Sequence, residues 1–234
     1  MLRALAHPLS LLVLIASFVF AVTLHGWVQA LVARAFGDRR PAAEHQTRPD
    51  PRRHIDPFGA VAALLSGLGW TKPVELLAGR RRSAQLAVAL SGPVVNIAIG
   101  CAALVVWRVA YLTHPGLDTA PSDVQPGLSL LLQTGTSMEG AIAERALVLF
   151  GVVQLYVGAL SLVPLPPLDG GRLLFALGPR SPGWQKAEYQ LVERNIGVVV
   201  LLVLLLIPIG RGGPLLPHLL DIALSPLISV VLGA

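Results

Sequence analysis

The sequence predicts an all-α polytopic membrane protein with about five transmembrane helices and one re-entrant segment. Three observations carry that expectation. Of the 234 residues, 54% are hydrophobic and only 13% are charged, whereas a soluble domain carries about a quarter charged residues. The apolar residues collect into runs on the scale of the roughly 20 residues a helix needs to cross a bilayer core about 30 Å thick. The basic residues sit in short segments between those runs, where membrane topology places them. The chain 1–234 reads as a single membrane domain, with no internal repeat and no low-complexity tract.

The first helix is expected from about Leu9 to Phe36, the run Leu9–Leu24 continuing as a mostly apolar pattern. Arg3 ahead of an apolar run is also how a signal peptide begins. This run continues past about 15 residues with no small-x-small site, so it reads as a retained helix. Gly37–Arg53 is a polar loop rich in Arg and Pro. Phe58–Trp70 is apolar but too short to span, and Gly59, Gly67 and Gly69 weaken it as a helix. It reads as re-entrant or interfacial, a backbone tolerated only where protein shields it. A second spanning helix is expected over Ser83–Leu112, then a polar loop over His114–Glu139. A third covers Ala141–Val163 and is stopped by Pro164, Pro166 and Pro167. Leu168–Gln190 reads as mixed and loop-like, and Asn195–Ile209 as a fourth helix. Leu215–Leu232 is a weaker apolar segment broken by Pro217 and Pro226.

Charge orients this layout. Residues 38–83 hold nine Lys and Arg, residues 113–140 none, and residues 164–194 four. The first and third regions are therefore expected in the cytoplasm and the N-terminus outside. The net charge of +5 does not imply nucleic acid, because no aromatic-rich basic platform accompanies it. The lipid bilayer is the expected surrounding, and Arg80–Arg82 reads as an anchor beside anionic lipid. Cys101, the single cysteine, reads as a small packing residue in an apolar run.

Strongly polar groups at membrane depth are costly and mark candidate sites. His25 and Gln29 lie in the first helix, Asn96 in the second, and Asp169 just after the third. His25 and Gln29 are four residues apart and share a helix face. That is the spacing of the two histidines in a His-Glu-x-x-His zinc helix, whose glutamate is the general base. Each polar residue also has a plainer reading. His25 can be a hydrogen-bonded packing residue, Asn96 can bond a neighbouring helix, and Asp169 can pin a turn. His54 reads as a solvated loop residue, and Gly92-Pro93 as a close-packing or kink pair.

Four blocks join these residues: His54-Ile-Asp-Pro-Phe-Gly59, Gly69-Trp-Thr-Lys-Pro-Val74, Ala89-Leu-Ser-Gly-Pro-Val-Val-Asn96 and Pro164-Leu-Pro-Pro-Leu-Asp-Gly-Gly-Arg172. In this order they resemble the signature blocks of a compact branch of the site-2 proteases, intramembrane zinc metalloproteases. The resemblance runs over Val22–Leu174, about two thirds of the chain, within a core expected over 9–175 and followed by C-terminal helices over 191–234. It implies that His25 and Asp169 are metal ligands and that Asn96 lies in the active-site region. The position of the glutamate is Gly26 and that of the second histidine is Gln29. Sliding the motif so that His25 becomes the second histidine puts Ala21 at the first, so the motif is broken either way.

Two losses follow chemically. A catalytic zinc has three protein ligands and a water, and the amide oxygen of Gln29 is a poor substitute for imidazole. The zinc implied by the resemblance is therefore expected to be weak or absent. General-base catalysis contributes about 10²–10⁴-fold, and Gly26 supplies no base; Asp56 and Glu44 sit off the motif helix. The expected function is that of a catalytically inactive site-2 protease homologue binding or regulating a transmembrane protein. The alternative is an intramembrane zinc metalloprotease with an atypical metal site, cleaving transmembrane substrates.

Overall fold

The structure is a computed structural model describing residues 8–77, 79, 81–113, 142–179, 181–208 and 214–232. The expected polar loop His114–Glu139 lies outside the described residues, as do Arg3 and Arg80. Helices dominate, and the described residues contain only isolated β-bridges, Ile55 to Thr71 and Pro208 to Pro214.

The first helix, α1 (Pro8–Ala35), matches its expected span. Two short turns follow, α2 (Arg40–Ala43) and α3 (Pro51–His54), each begun by a proline at its first or second position. Proline suits that position because its missing N–H is an orphan donor there anyway. The apolar segment after them is helical over α4 (Pro57–Ser66), where its glycines had argued against a helix. Asp56 caps it by accepting from Gly59 N at 2.8 Å, and Gly67 ends it in the left-handed region at φ 85°. Gly59 serves close approach: a Cβ there would stand 2.4 Å from Trp70 O. An extended stretch over residues 68–77 then returns along the bundle.

The second long helix, α5 (Arg82–Thr113), carries Pro93 in its interior. It packs most extensively on α6 (Ile142–Ser161), and α1 packs on both. Small residues set this contact. A Cβ at Gly100 would lie 2.8 Å from Gly151 O, and one at Gly158 3.0 Å from Pro93 O. Close backbone approach through glycine is how helices associate in lipid, where hydrophobic burial gives little drive. Cys101 is half-buried and packs against this core, as expected.

The segment expected to be loop-like is instead two helices, α7 (Asp169–Leu177) and α8 (Pro182–Leu191). Gly170 and Gly171 lie in the first turn of the one, and Ser181 with Pro182 starts the other. The last helices are α9 (Ile196–Leu206) and α10 (Leu215–Leu232). Pro226 interrupts the sequence of α10 but not the helix, and Pro217 falls in its first turn, where proline costs least. Tyr156 donates to Asp221 across α6 and α10, giving that carboxylate a partner inside an apolar helix.

Among the described residues two helices are long and apolar enough to cross a membrane alone, over Leu11–Ala35 and Arg82–Ala110. The pair α8 and α9, bent by 62°, makes a third if counted as one span. The apolar pieces Ala146–Ser161 and Leu215–Val231 are shorter. Among the described residues, length and composition thus support two or three spans, and the expected count of about five is not confirmed.

Candidate functional site

His25, Gln29, Asn96 and Asp169 converge in the interior between α1, α5 and α7. Three of them are fully buried and Asp169 is 4% exposed. Each is placed by local structure. His25 and Gln29 share one face of α1. Asn96 lies on the stripe of α5 that also carries Gly92 and Gly100 at four-residue spacing. A Cβ at Gly92 would sit 2.3 Å from His25 Nε2, so only glycine lets α5 close over the imidazole. Asp169 opens α7 directly after the Pro166–Pro167 cis peptide. The next two glycines let it do so, because Cβ atoms there would stand 2.2 Å from Leu162 O and 2.4 Å from Pro166 N.

The polar groups close on one another. His25 Nε2–H donates to Asp169 Oδ2 at 2.7 Å, and Gln29 Nε2 donates to Asp169 Oδ1 at 2.8 Å. Gln29 Nε2 also lies 3.2 Å from His25 Nε2. On the far side of the ring, Asn96 Nδ2 donates to His25 Nδ1 at 3.4 Å and to Ala21 O at 3.5 Å. Asn96 therefore both bonds a neighbouring helix and belongs to the site.

Arg172, given no role in the sequence reading, and His54, read there as solvated or interfacial, complete the arrangement. Arg172 donates to Asp169 Oδ1 at 3.4 Å and to Val74 O, tying α7 to the extended stretch; its place three residues after Asp169 was the available signal. His54, expected to be solvated, is fully buried. Its Nε2–H donates to Arg48 O at 3.0 Å, which leaves Nδ1 as the acceptor, and Nδ1 has no hydrogen-bond partner. That nitrogen lies 2.5 Å from where a Cβ on Gly26 would be. The His54 ring thus fills the space into which a side chain at position 26 would grow. Burial pushes the His54 imidazole below its ordinary range, partly opposed by the bond to the Arg48 carbonyl, so it is neutral. Asp56 and Glu44 stay away from the site, the first as the α4 cap and the second paired with Arg40.

A sequence profile of peptidase family M50 matches residues 13–205. The chain belongs to peptidase family M50. This is the family of the site-2 proteases, so the resemblance read from the motif blocks holds. The M50 chain is also 30% identical over 217 residues to YwhC of Bacillus subtilis (strain 168), a protein named provisionally as a zinc metalloprotease. The match covers 89% of this chain and 87% of YwhC. No solved structure matches it.

M50 membership makes zinc the metal to test against these side chains. His25 Nε2 and Asp169 Oδ2 are 2.7 Å apart and share a proton. Gln29 presents its NH₂ to the carboxylate, since an amide oxygen there would oppose lone pair to lone pair; its Oε1 is buried without a partner. Among the described residues no three His, Cys, Asp or Glu side chains gather as a metal site. Among the described residues, this M50 chain gathers His25 and Asp169, two of the three protein ligands that a catalytic zinc takes.

Proposed function

We propose that this chain is a catalytically inactive member of peptidase family M50 that binds or regulates a membrane protein. The observation that carries the reading is the closed contact of His25, Asp169 and Gln29, with His54 standing where the base at position 26 would be. A hydrolase of this family needs an electrophilic metal and a base at that place. Here the carboxylate is occupied by three donors and the base position has no side chain.

What remains is a scaffold suited to holding a client within the bilayer. An apolar crevice of about 190 Å³ opens between α1, α4 and α6, lined by Phe18, Leu64, Leu68 and Val157 among others. A void of about 150 Å³ holds a benzene-sized group, so this one suits a large side chain projecting from a transmembrane segment. Charge orients the client's approach: residues 38–83 and 164–194 face the cytoplasm, and the N-terminus lies outside.

Zinc content of the detergent-purified protein, beside an Asp169→Ala variant, tests the inactive reading. The expected result is no zinc above background in either. About one zinc per chain, lost in Asp169→Ala, would overturn the reading in favour of a protease with an atypical metal site. Cross-linking in membranes tests the second half, and failure to capture any membrane protein would count against it.

A further inference from the structure

A second concavity lies apart from the His25 site, on the arginine-rich face. It has a volume of about 470 Å³ and is lined by Arg40, Glu44, Arg52, Arg53, Lys72 and Glu75 among others. Its charges are unequally satisfied. Arg40 donates to Glu44 at 2.9 Å and pairs with Glu75 as well, so one guanidinium bridges both carboxylates of the wall. Arg52, Arg53 and Lys72 have no carboxylate partner among the described residues. Four cations against two carboxylates leave a net charge of +2 in the cavity.

The walls are held in place. Asp50 accepts from Arg52 N at 3.1 Å and starts α3, which presents Arg52 and Arg53. Lys72 N donates to His54 O at 2.7 Å, and the Ile55–Thr71 bridge fixes Lys72 beside them. On the opposite wall buried Asp38 accepts from Arg40 N and Leu77 N, both at 2.9 Å. Trp27 Nε1 donates to Thr47 O at 3.0 Å and ties the loop to α1. The cations are thus arranged by backbone that is already folded.

The position is interfacial. The cavity follows the end of the first spanning helix, and Phe36 and Leu77, outside its lining but joined to Arg40 through the Asp38 segment, are 46% and 47% exposed. Guanidinium forks match phosphate oxygens bidentately and an ammonium adds a point charge. Basic pockets on the cytoplasmic side of membrane proteins take anionic headgroups in this way. An acidic protein segment would need no apolar rim, whereas a phospholipid would lay its acyl chains over Phe36 and Leu77.

We infer that this cavity binds the phosphate of an anionic phospholipid headgroup through Arg52, Arg53 and Lys72. The test uses the full chain in neutral detergent and native mass spectrometry with added phosphatidylglycerol or phosphatidylcholine. Phosphatidylglycerol is expected to bind in preference. Affinity should fall at least about tenfold in an Arg52→Gln/Arg53→Gln/Lys72→Gln variant. It should be unchanged in Arg34→Gln/Arg81→Gln/Arg194→Gln, which removes as much charge elsewhere. The three pocket cations are exposed, and folding of the variant is checked by its helical signal and elution volume. Inorganic phosphate at millimolar concentration separates the sources. Displacement of the lipid shows that the pocket reads phosphate alone, and retention shows that it reads the lipid. Equal lipid affinity in wild type and pocket variant, or equal loss in both triple variants, overturns the inference. Binding of a polyglutamate peptide without binding of phosphatidylglycerol overturns it too.

Discussion

Replacing Gly26 by alanine separates the packing role of His54 from every other feature of the site. In a helix interior alanine is worth about 1 kcal/mol over glycine, so Gly26→Ala would stabilise an open position. Here the new Cβ would meet His54 Nδ1 at 2.5 Å, His54 Cγ at 3.1 Å and Thr71 Oγ1 at 3.1 Å. The ring cannot simply swing aside. Arg48 O holds its far nitrogen at 3.0 Å, and Thr71 Oγ1 and Lys72 N hold its own carbonyl at 2.9 and 2.7 Å. Overpacking of this kind costs about 1–3 kcal/mol, which offsets the propensity gain and leaves a net loss of about 1 kcal/mol. In a His54→Ala background the obstruction is gone, and the same substitution should gain about 1 kcal/mol. The coupling between the two positions is then about 2 kcal/mol, within the range for residues in contact. Thermal unfolding in one detergent reads it, at roughly 2–4 °C per kcal/mol for a chain of this size. If Gly26→Ala raises Tm equally in both backgrounds, His54 does not fill that space and the argument fails.

Four further outcomes are expected. Gly92→Ala drives a Cβ to within 2.3 Å of the His25 ring and should destabilise by about 1–3 kcal/mol in the same unfolding assay. Asp169→Asn removes the charged acceptor of His25, Gln29 and Arg172, and should cost about 1.5–3 kcal/mol, the scale of hydrogen bonds to a charged group. Gln29→His supplies the missing imidazole and should raise zinc to about one per chain by elemental analysis; Gly26→Glu added to it should give no peptide cleavage while His54 stays in place. Acidification should weaken the fold. His54 in the folded chain protonates below its ordinary 6.5, so the unfolded state takes up its proton first and stability falls as pH drops through and below about 6.5. His54→Gln should flatten that slope in unfolding measured across pH.

The parts of the site that showed in the sequence are those whose polarity conflicts with their surroundings. His25 and Asn96 stand in apolar helices, and Asp169 follows a proline-stopped one, so lipid makes each conspicuous without any knowledge of contacts. His54 gave no such contrast. It sits in an arginine-rich loop, and only the bridge from Ile55 to Thr71 and the bond to Arg48 O turn it inward. The long helices were legible because their apolar runs exceed any soluble alternative. Of the short ones, α4 was misread because its glycines were weighed by propensity alone. In α4 and α7 Gly59, Gly170 and Gly171 instead permit backbone contact, a tertiary effect that propensity does not encode.

The contact of Gly100 with Gly151 has a consequence for how such a site can change over generations. Main chain meets main chain there with Leu104 and Leu155 packed at the same crossing, so the spacing between α5 and α6 does not depend on the groups at positions 26 and 29. A lineage can therefore exchange the group at position 29 within an undistorted helix frame, whereas a side chain at position 26 needs His54 to change as well. Chemistry on this scaffold can be lost or regained without respacing the helices, but regaining it at position 26 requires a change at His54 too.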